Sequence, residues 1–343
     1  MSILSQLYKS FLKSLNRTFK RSNENYNDLD IILYTGYGNA YTVFVSGMVT
    51  LESKVKTKDN KWNNMLAMIN RFTQTTVPHK EVEIIIQGVK SMAVTDESGF
   101  FLLEFKVPFP DQIKHMRWIP MLASLPAEEV VVEGEIQIVT DKDDVVFVSD
   151  IDDTILISHS TQLLRKLNLI LFKNAESRLP FPDIPQFYNQ LKGGKNKQQD
   201  NPFFYVSSSE WNLYDLLSDF FNFNHIPKGT FLLKKYSEGL IKLWLSGKNN
   251  HDRKYDKIKF LLQLYPKQNF VLLGDNGQED PYIYGRLSKE FPGRIDTCYI
   301  RQIKSIRSLK TNQVNNLFDV NTTLVQIKHT SEAIAHAKKR GYV

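Results

Sequence analysis

The apolar run Val145 to Val148 leads through Ser149 to two carboxylates spaced two residues apart, Asp150 and Asp152, and then to Thr154. Carboxylates at that spacing, with the chain turning between them, can divide one reaction. One makes and breaks a bond to phosphorus while the other moves a proton on and off the leaving or attacking oxygen. An uninterrupted apolar strand suits the middle of a parallel sheet, and ligands of such sheets sit at the carboxyl ends of the strands. Asp150 is therefore expected at the mouth of a crevice. Taken alone, an Asp-x-Asp string reads equally as an acidic surface turn, so its neighbours in the chain carry the argument.

Three further pieces follow in order. Pro202 to Ser207 is a second short apolar strand, ending in three serines before a helical pattern at Trp211, Leu213, Tyr214, Leu217 and Phe220. A hydroxyl there can donate to a phosphoryl oxygen, although serines also cap helices. Lys254 opens a stretch with apolar residues at Ile258, Leu261, Leu262 and Leu264, which places it early in an amphipathic helix. By itself such a lysine is a solvated surface group. Finally, Asn269 to Leu273 is a strand that breaks at Gly274 into a loop carrying Asp275 and Asp280. Acidic groups facing Asp150 across two strand ends make an all-oxygen site suited to Mg²⁺.

Asp-x-Asp-x-Thr, strand-end Ser, helical Lys and Gly-Asp-x-x-x-x-Asp, in that order, resemble the haloacid dehalogenase superfamily of phosphotransferases. The strings Val148 to Thr154, Phe204 to Tyr214 and Leu272 to Pro281 are similar to the actin-patch-type phosphatidate phosphatase catalytic domain family, from about Asp144 to the C-terminus. Ser209 and Glu210 depart from residues common in relatives, Pro among them. The resemblance implies Asp150 as nucleophile and Asp152 as general acid and base. It implies Ser207 and Lys254 as holders of the phosphoryl oxygens, with Thr154 either bonding the motif loop or capping the next element. It also implies Mg²⁺ held by Asp150, Asp275, the backbone carbonyl of Asp152 and, from behind, Asp280. A metal is expected because a carboxylate approaching a phosphate dianion in a low-dielectric cleft meets strong repulsion.

At 343 residues the chain is long enough for two domains, and 42% hydrophobic content lets both bury a core. Cys298, the single cysteine, is read as a small core hydrophobe, with no intramolecular disulfide and no zinc cluster. No apolar run approaches membrane-spanning length and no signal-peptide pattern opens the chain, so a cytoplasmic protein is expected. The formal charge of +7 is uneven: Lys9, Lys13, Arg17, Lys20 and Arg21 fall in an opening segment without acids. On a helical wheel Leu4, Leu7, Tyr8, Phe11, Leu12, Leu15 and Phe19 form the opposite face. Such a helix lies on an anionic membrane, at the inner face here, or packs on protein. Nucleic acid is not expected, because no basic cluster interleaves with aromatics.

After a polar joint the chain reads as short strands at 31–34, 41–49, 82–87, 90–94, 100–105 and 130–139, with Thr95 to Gly99 as a hairpin turn and a helical stretch at 62–72. An antiparallel β-sandwich is expected, serving as scaffold or lid. Gly36-Tyr37-Gly38 reads as a glycine turn rather than a phosphate loop, since no Gly-Lys-Ser/Thr follows. A Tyr-x-Gly-Tyr-Gly segment of this kind also resembles bacterial members of the family. From Asp144 strands alternate with helices, predicting an α/β fold with a Rossmann-like parallel sheet. Arg165, Lys166, Lys173 and Arg178 lie in a segment too short for more than a small cap, so an open entrance for a large amphiphilic phosphomonoester is expected.

The expected organisation is thus 1–29 as basic helix and joint, 30–142 as sandwich and 143–343 as phosphatase domain. The expected activity is Mg²⁺-dependent conversion of phosphatidate to diacylglycerol. A soluble small-molecule phosphatase and a non-catalytic lipid-binding adaptor remain the alternatives.

Overall fold

A computed structural model describes residues 29–51, 75–106, 109, 116–151, 155, 183–196, 199–234, 250–277, 279–302 and 316–343. The basic segment at 1–22, the helical pattern at 62–72 and the stretch expected to form the cap lie outside these residues, as do Asp152 and Thr154.

Two sheets are built by the described residues. The second in chain order holds β9 (Val145–Asp150), β10 (Phe203–Glu210), β11 (Thr230–Lys234), β12 (Asn269–Asp275), β13 (Ile295–Arg301) and β14 (Thr323–Ile327). Its spatial order is β11-β10-β9-β12-β13-β14, with every neighbouring pair parallel. Counted from β9 this is the doubly wound order 3-2-1-4-5-6, whose topological switch point lies between β9 and β12. The α/β expectation with a parallel sheet therefore holds.

The strands pack on both faces, which is why they read as apolar runs. Phe147, Tyr205, Leu273 and Tyr299 point to one side, against α1 (Ile184–Gly193), α2 (Tyr214–Phe223) and α5 (Thr330–Arg340). Their strand neighbours Val148, Val206, Leu272 and Cys298 point to the other, against α3 (Asn250–Leu264) and α4 (Asp280–Glu290). Each fully buried side chain of this size stabilises by roughly 1.5–3 kcal/mol. Cys298 is buried in that second layer, as a core residue.

The strands expected as an antiparallel sandwich form a mixed, mostly antiparallel sheet. Its strands are β1 (Leu29–Leu33), β2 (Gly36–Gly38), β3 (Thr42–Leu51), β4 (Glu81–Ile86), β5 (Val89–Val94), β6 (Phe100–Lys106), β7 (Trp118–Leu125) and β8 (Val130–Ile138). All eight hydrogen-bond into one sheet, in the order β1-β3-β2-β8-β7-β4-β5 with β6 added on β3. The ten-residue β3 serves β1 and β2 with different stretches and also pairs β6, so one long strand joins what two sheets would have divided. The sheet is also mixed, since β2 runs parallel to β8.

Gly36-Tyr37-Gly38 is thus a strand rather than a turn. A Cβ on Gly38 would lie 2.2 Å from the Thr42 carbonyl oxygen, so glycine is what lets β2 approach β3. Thr95 to Gly99 is a tight turn closed by the Asp96 carboxylate, which accepts from the Ser98 and Phe100 amides. It joins strands that do not pair with each other, however, because β5 pairs β4 while β6 pairs β3. The hairpin is β4–β5, where Gln87 (φ 51°) and Gly88 (φ 79°) supply the positive φ angles of a tight two-residue loop. Strand β7 was missed because Pro120 demotes the run. The β4 ladder reaches only to Met121, so Pro120 has β8 alone as neighbour.

The sheets share a core. Tyr34, beyond β1, stacks on Trp211 at a centroid distance of 4.3 Å. The Thr35 amide donates to the Tyr214 hydroxyl at 3.0 Å, and the Gln137 amide donates to the Phe203 carbonyl at 3.0 Å. Strand β8 runs into β9 through a short turn in which Thr140 N–H donates to the Asp143 carboxylate at 2.6 Å.

Candidate active site

Asp150 is the last residue of β9 and Asp275 the last of β12, the two strands that flank the switch point. Asp280 opens α4. All three are buried, and one carboxylate oxygen from each lies within 4.8 Å of the others. Charges do not gather in a protein interior unless compensated, because burial in low dielectric costs several kcal/mol per ion.

Lys254 supplies part of that compensation. Its Nζ lies 2.8 Å from Asp150 Oδ1 and also pairs with Asp280 Oδ1. Burial pushes the Lys254 ammonium down, but the Asp150 and Asp280 carboxylates outweigh it and hold the group above its ordinary value. Lys254 is therefore a permanent cation at neutral pH. Arg301, opposite Asp275 in the β12–β13 register, is a second buried cation at this end of the sheet, with Nη2 donating to Thr330 Oγ1 at 3.0 Å.

Local sequence explains the placement. Gly274 precedes Asp275 because a Cβ there would meet Asp280 Oδ2 at 2.4 Å and the Tyr284 hydroxyl at 2.9 Å. The loop is closed by the Gly277 amide, which donates to Asp275 Oδ1 at 2.6 Å, while the Asp275 amide donates to Asp280 Oδ2 at 3.2 Å. Pro281 at the start of α4 suits a position where no N–H is needed. Below Asp150, the Ser149 and Tyr188 hydroxyls share a hydrogen bond of 2.7 Å, tying β9 to α1.

Ser207 is buried on β10, one residue beyond Val206, the register partner of Asp150. Of the residues singled out in the sequence, Asp150, Lys254, Asp275 and Asp280 are thus in mutual contact or near it, and Ser207 is on the adjacent strand. Arg301 and Tyr188 were not anticipated as neighbours of the site. The only available signal was Arg301 closing an apolar strand, since Tyr188 is silent until α1 is placed against β9.

The donor set is all oxygen, buried and convergent, which fits a hard divalent cation better than zinc or copper. Asp150 and Asp275 would hold Mg²⁺, with Asp280 beside them. A doubly wound α/β domain with carboxylates on both sides of its switch point, and a lysine between them, belongs to the class of folds whose chemistry lies at strand carboxyl ends.

Within that class the sequence is particular. Residues 145–302, from β9 to just past β13, match the family described as Phosphatidate phosphatase APP1, catalytic domain. The likeness drawn from the motif strings holds over this segment. Over 187 residues, 52% of the chain, it is 29% identical to the Phosphatidate phosphatase APP1 of Saccharomyces cerevisiae, covering 31% of that protein. Over 236 residues, 66% of the chain, it is 24% identical to an uncharacterized protein of Schizosaccharomyces pombe, covering 37% of it. The chain therefore spans about a third of the length of the curated relatives it matches.

Proposed function

We propose that this protein is a Mg²⁺-dependent phosphomonoester phosphatase of the haloacid dehalogenase type that converts phosphatidate to diacylglycerol through a phosphorylated Asp150. The observation that carries this reading is the convergence of Asp150, Asp275 and Asp280 at the switch point of the parallel sheet, with Lys254 paired to Asp150 and Asp280. Its supports in sequence are the catalytic-domain match and the yeast relative's activity.

In this reading Asp150 attacks phosphorus in line with the departing alkoxide. Asp152 protonates that oxygen and then takes a proton from the water that releases phosphate. Lys254 offsets charge on the equatorial oxygens and the Ser207 hydroxyl donates to one of them, which phosphoryl transfer needs more than covalent ingenuity. Bound Mg²⁺ would supply Lewis-acid neutralisation at the phosphoryl group. Before substrate arrives, Lys254 Nζ pairs with the Asp150 carboxylate at 2.8 Å.

The basic amphipathic pattern in 1–22 supports work at an anionic lipid surface, with the protein otherwise in the cytoplasm. Among the described residues no helix is long and apolar enough to cross a membrane.

Phosphate release is the test, measured on phosphatidate in detergent micelles and on soluble phosphomonoesters, with Mg²⁺ and with excess chelator. Turnover of phosphatidate that chelator abolishes and Mg²⁺ restores is expected. Turnover of soluble esters alone would replace the substrate, and no turnover of any ester would leave a lipid-binding adaptor. Deleting residues 1–22 is expected to weaken binding to anionic vesicles, and to spare the hydrolysis of soluble esters.

A further inference from the structure

Helix α3 sends a second lysine to the same end of the sheet. Lys257, three residues beyond Lys254, donates from Nζ to the Ser207 carbonyl at 2.9 Å and to the Leu232 carbonyl at 3.0 Å. Those carbonyls belong to neighbouring strands at the point where their ladder breaks. Val206 pairs with Leu232, but the next pair is Glu210 with Lys234, so β10 advances four residues while β11 advances two. Bulges of this kind turn a side chain out of the regular pleat and recur beside active sites. Ser207 is the first residue of the bulge, and its Oγ accepts from the Ser209 amide at 3.0 Å.

We infer that Lys257 is a positioning residue for the phosphate pocket: its ammonium staples the β10 bulge to β11 and so fixes the Ser207 hydroxyl relative to Asp150. The inference rests on the phosphatase reading for the role of Ser207. A bulge takes backbone groups out of the ladder, and buried carbonyls then require another donor. One ammonium with three donors can reach carbonyls on both strands at once. Residues three apart share a helix face, so α3 delivers Lys254 to the carboxylates and Lys257 to the serine strand as one rigid unit. The alternative role, anchoring α3 on the sheet, affects stability but leaves phosphate affinity alone.

A double-mutant cycle separates these roles, using Lys257→Met, Ser207→Ala and their combination in the full chain with Mg²⁺. The readouts are KM and kcat for a soluble phosphomonoester and the calorimetric affinity for inorganic phosphate. Lys257→Met is expected to raise KM and weaken phosphate binding roughly 10-fold to 10²-fold, the scale of small misplacements in a site. Lys257→Arg, which keeps a cation with several donors, is expected to restore most of that loss. In the Ser207→Ala background Lys257→Met should add less than about two-fold, because the group it positions is gone. An equal effect in both backgrounds, or a lowered melting temperature with wild-type phosphate affinity, overturns the inference. Should Lys257→Met fail to fold, Lys257→Gln, which retains one N–H-bearing amide, carries the same cycle. A wild-type chain that binds phosphate but hydrolyses no ester defeats the phosphatase reading, while the binding cycle still decides Lys257; one that binds no phosphate overturns both.

Discussion

Strands β8 and β9 follow one another through a single turn, yet they bury their residues by opposite rules. Along β8, Val131, Glu133 and Glu135 are exposed and only the last three residues are fully buried. Strand β9 is buried from Val146 to Asp150 and holds its one carboxylate at its end. In the mixed sheet polar groups are spread over a solvent face, where they carry no message. In the parallel sheet there is no solvent face, so charge appears at the strand ends, buried and paired. A buried charge is unfavourable unless a partner offsets it, which makes such a group a marker of chemistry.

The largest expected effect breaks the site and leaves the sheet standing. Asp150→Asn keeps shape and burial but removes the charge proposed to attack phosphorus, so phosphate release should fall on the order of 10⁴-fold or more. An unchanged far-ultraviolet circular dichroism spectrum alongside that loss is the expected pair of results. Turnover near wild type would remove Asp150 as nucleophile.

Removing the cation instead strikes stability. Lys254→Met leaves Asp150 and Asp280 without the ion pairs they make with it. Breaking a buried pair from one side costs about 3–5 kcal/mol, and denaturant unfolding in excess chelator at neutral pH is where that should be read. Because the folded-state value of Lys254 is raised, its contribution is complete below the unfolded value of about 10.5 and is lost only as alkaline pH rises through the folded one. The wild type should therefore show no Lys254-linked loss at neutral pH. The variant's deficit should shrink towards acid pH as its carboxylates take up protons.

How far the sequence reads follows the same division. The parallel sheet was legible because its strands are runs such as Val145 to Val148 and Phe203 to Val206, each ending at a polar residue with a chemical reading. The mixed sheet was harder, since Pro120 hid β7 and the three residues of β2 read as a turn. Neither its single-sheet path nor the non-pairing of β5 with β6 has a local signal, because both depend on which distant strand each edge meets. The cap of α5 shows the same limit on a smaller scale. Thr330 opens the helix but its hydroxyl accepts from Arg301, while Glu332 closes the helix start by accepting from the Lys328 amide.

A smaller perturbation sharpens the contrast by acting through space alone. Gly274→Ala adds a methyl 2.4 Å from Asp280 Oδ2 and 2.9 Å from the Tyr284 hydroxyl, which donates to the Leu273 carbonyl at 3.1 Å. Overpacking of this kind costs about 1–3 kcal/mol, and here the group displaced is a candidate metal ligand. The Mg²⁺ concentration giving half-maximal activity should rise together with the loss of stability. A stability loss with unchanged Mg²⁺ dependence would place Asp280 outside the metal's surroundings.

The smallest effect belongs to the joint between the sheets, where Tyr214→Phe keeps the ring against Tyr34, at 4.8 Å between centroids, and removes only the hydroxyl. That hydroxyl accepts from the Thr35 amide at 3.0 Å and shares a bond of 2.7 Å with Thr35 Oγ1. Burial raises the Tyr214 phenol above its ordinary value, so it stays protonated across the working range. Losing its bonds leaves two Thr35 groups to find other partners, at about 1–2 kcal/mol. Thr35→Val removes one of the same two bonds from the other side, so the double variant should lose less than the sum of the singles. Because α2 begins four residues after Glu210, the end of β10, a coupling of this joint to the Ser207 strand would also appear in KM. Both variants are expected to lower the unfolding midpoint modestly and to leave kcat and KM for a soluble ester unchanged. A several-fold rise in KM would show instead that the mixed sheet holds the Ser207 strand in place and is a working part of the phosphate site.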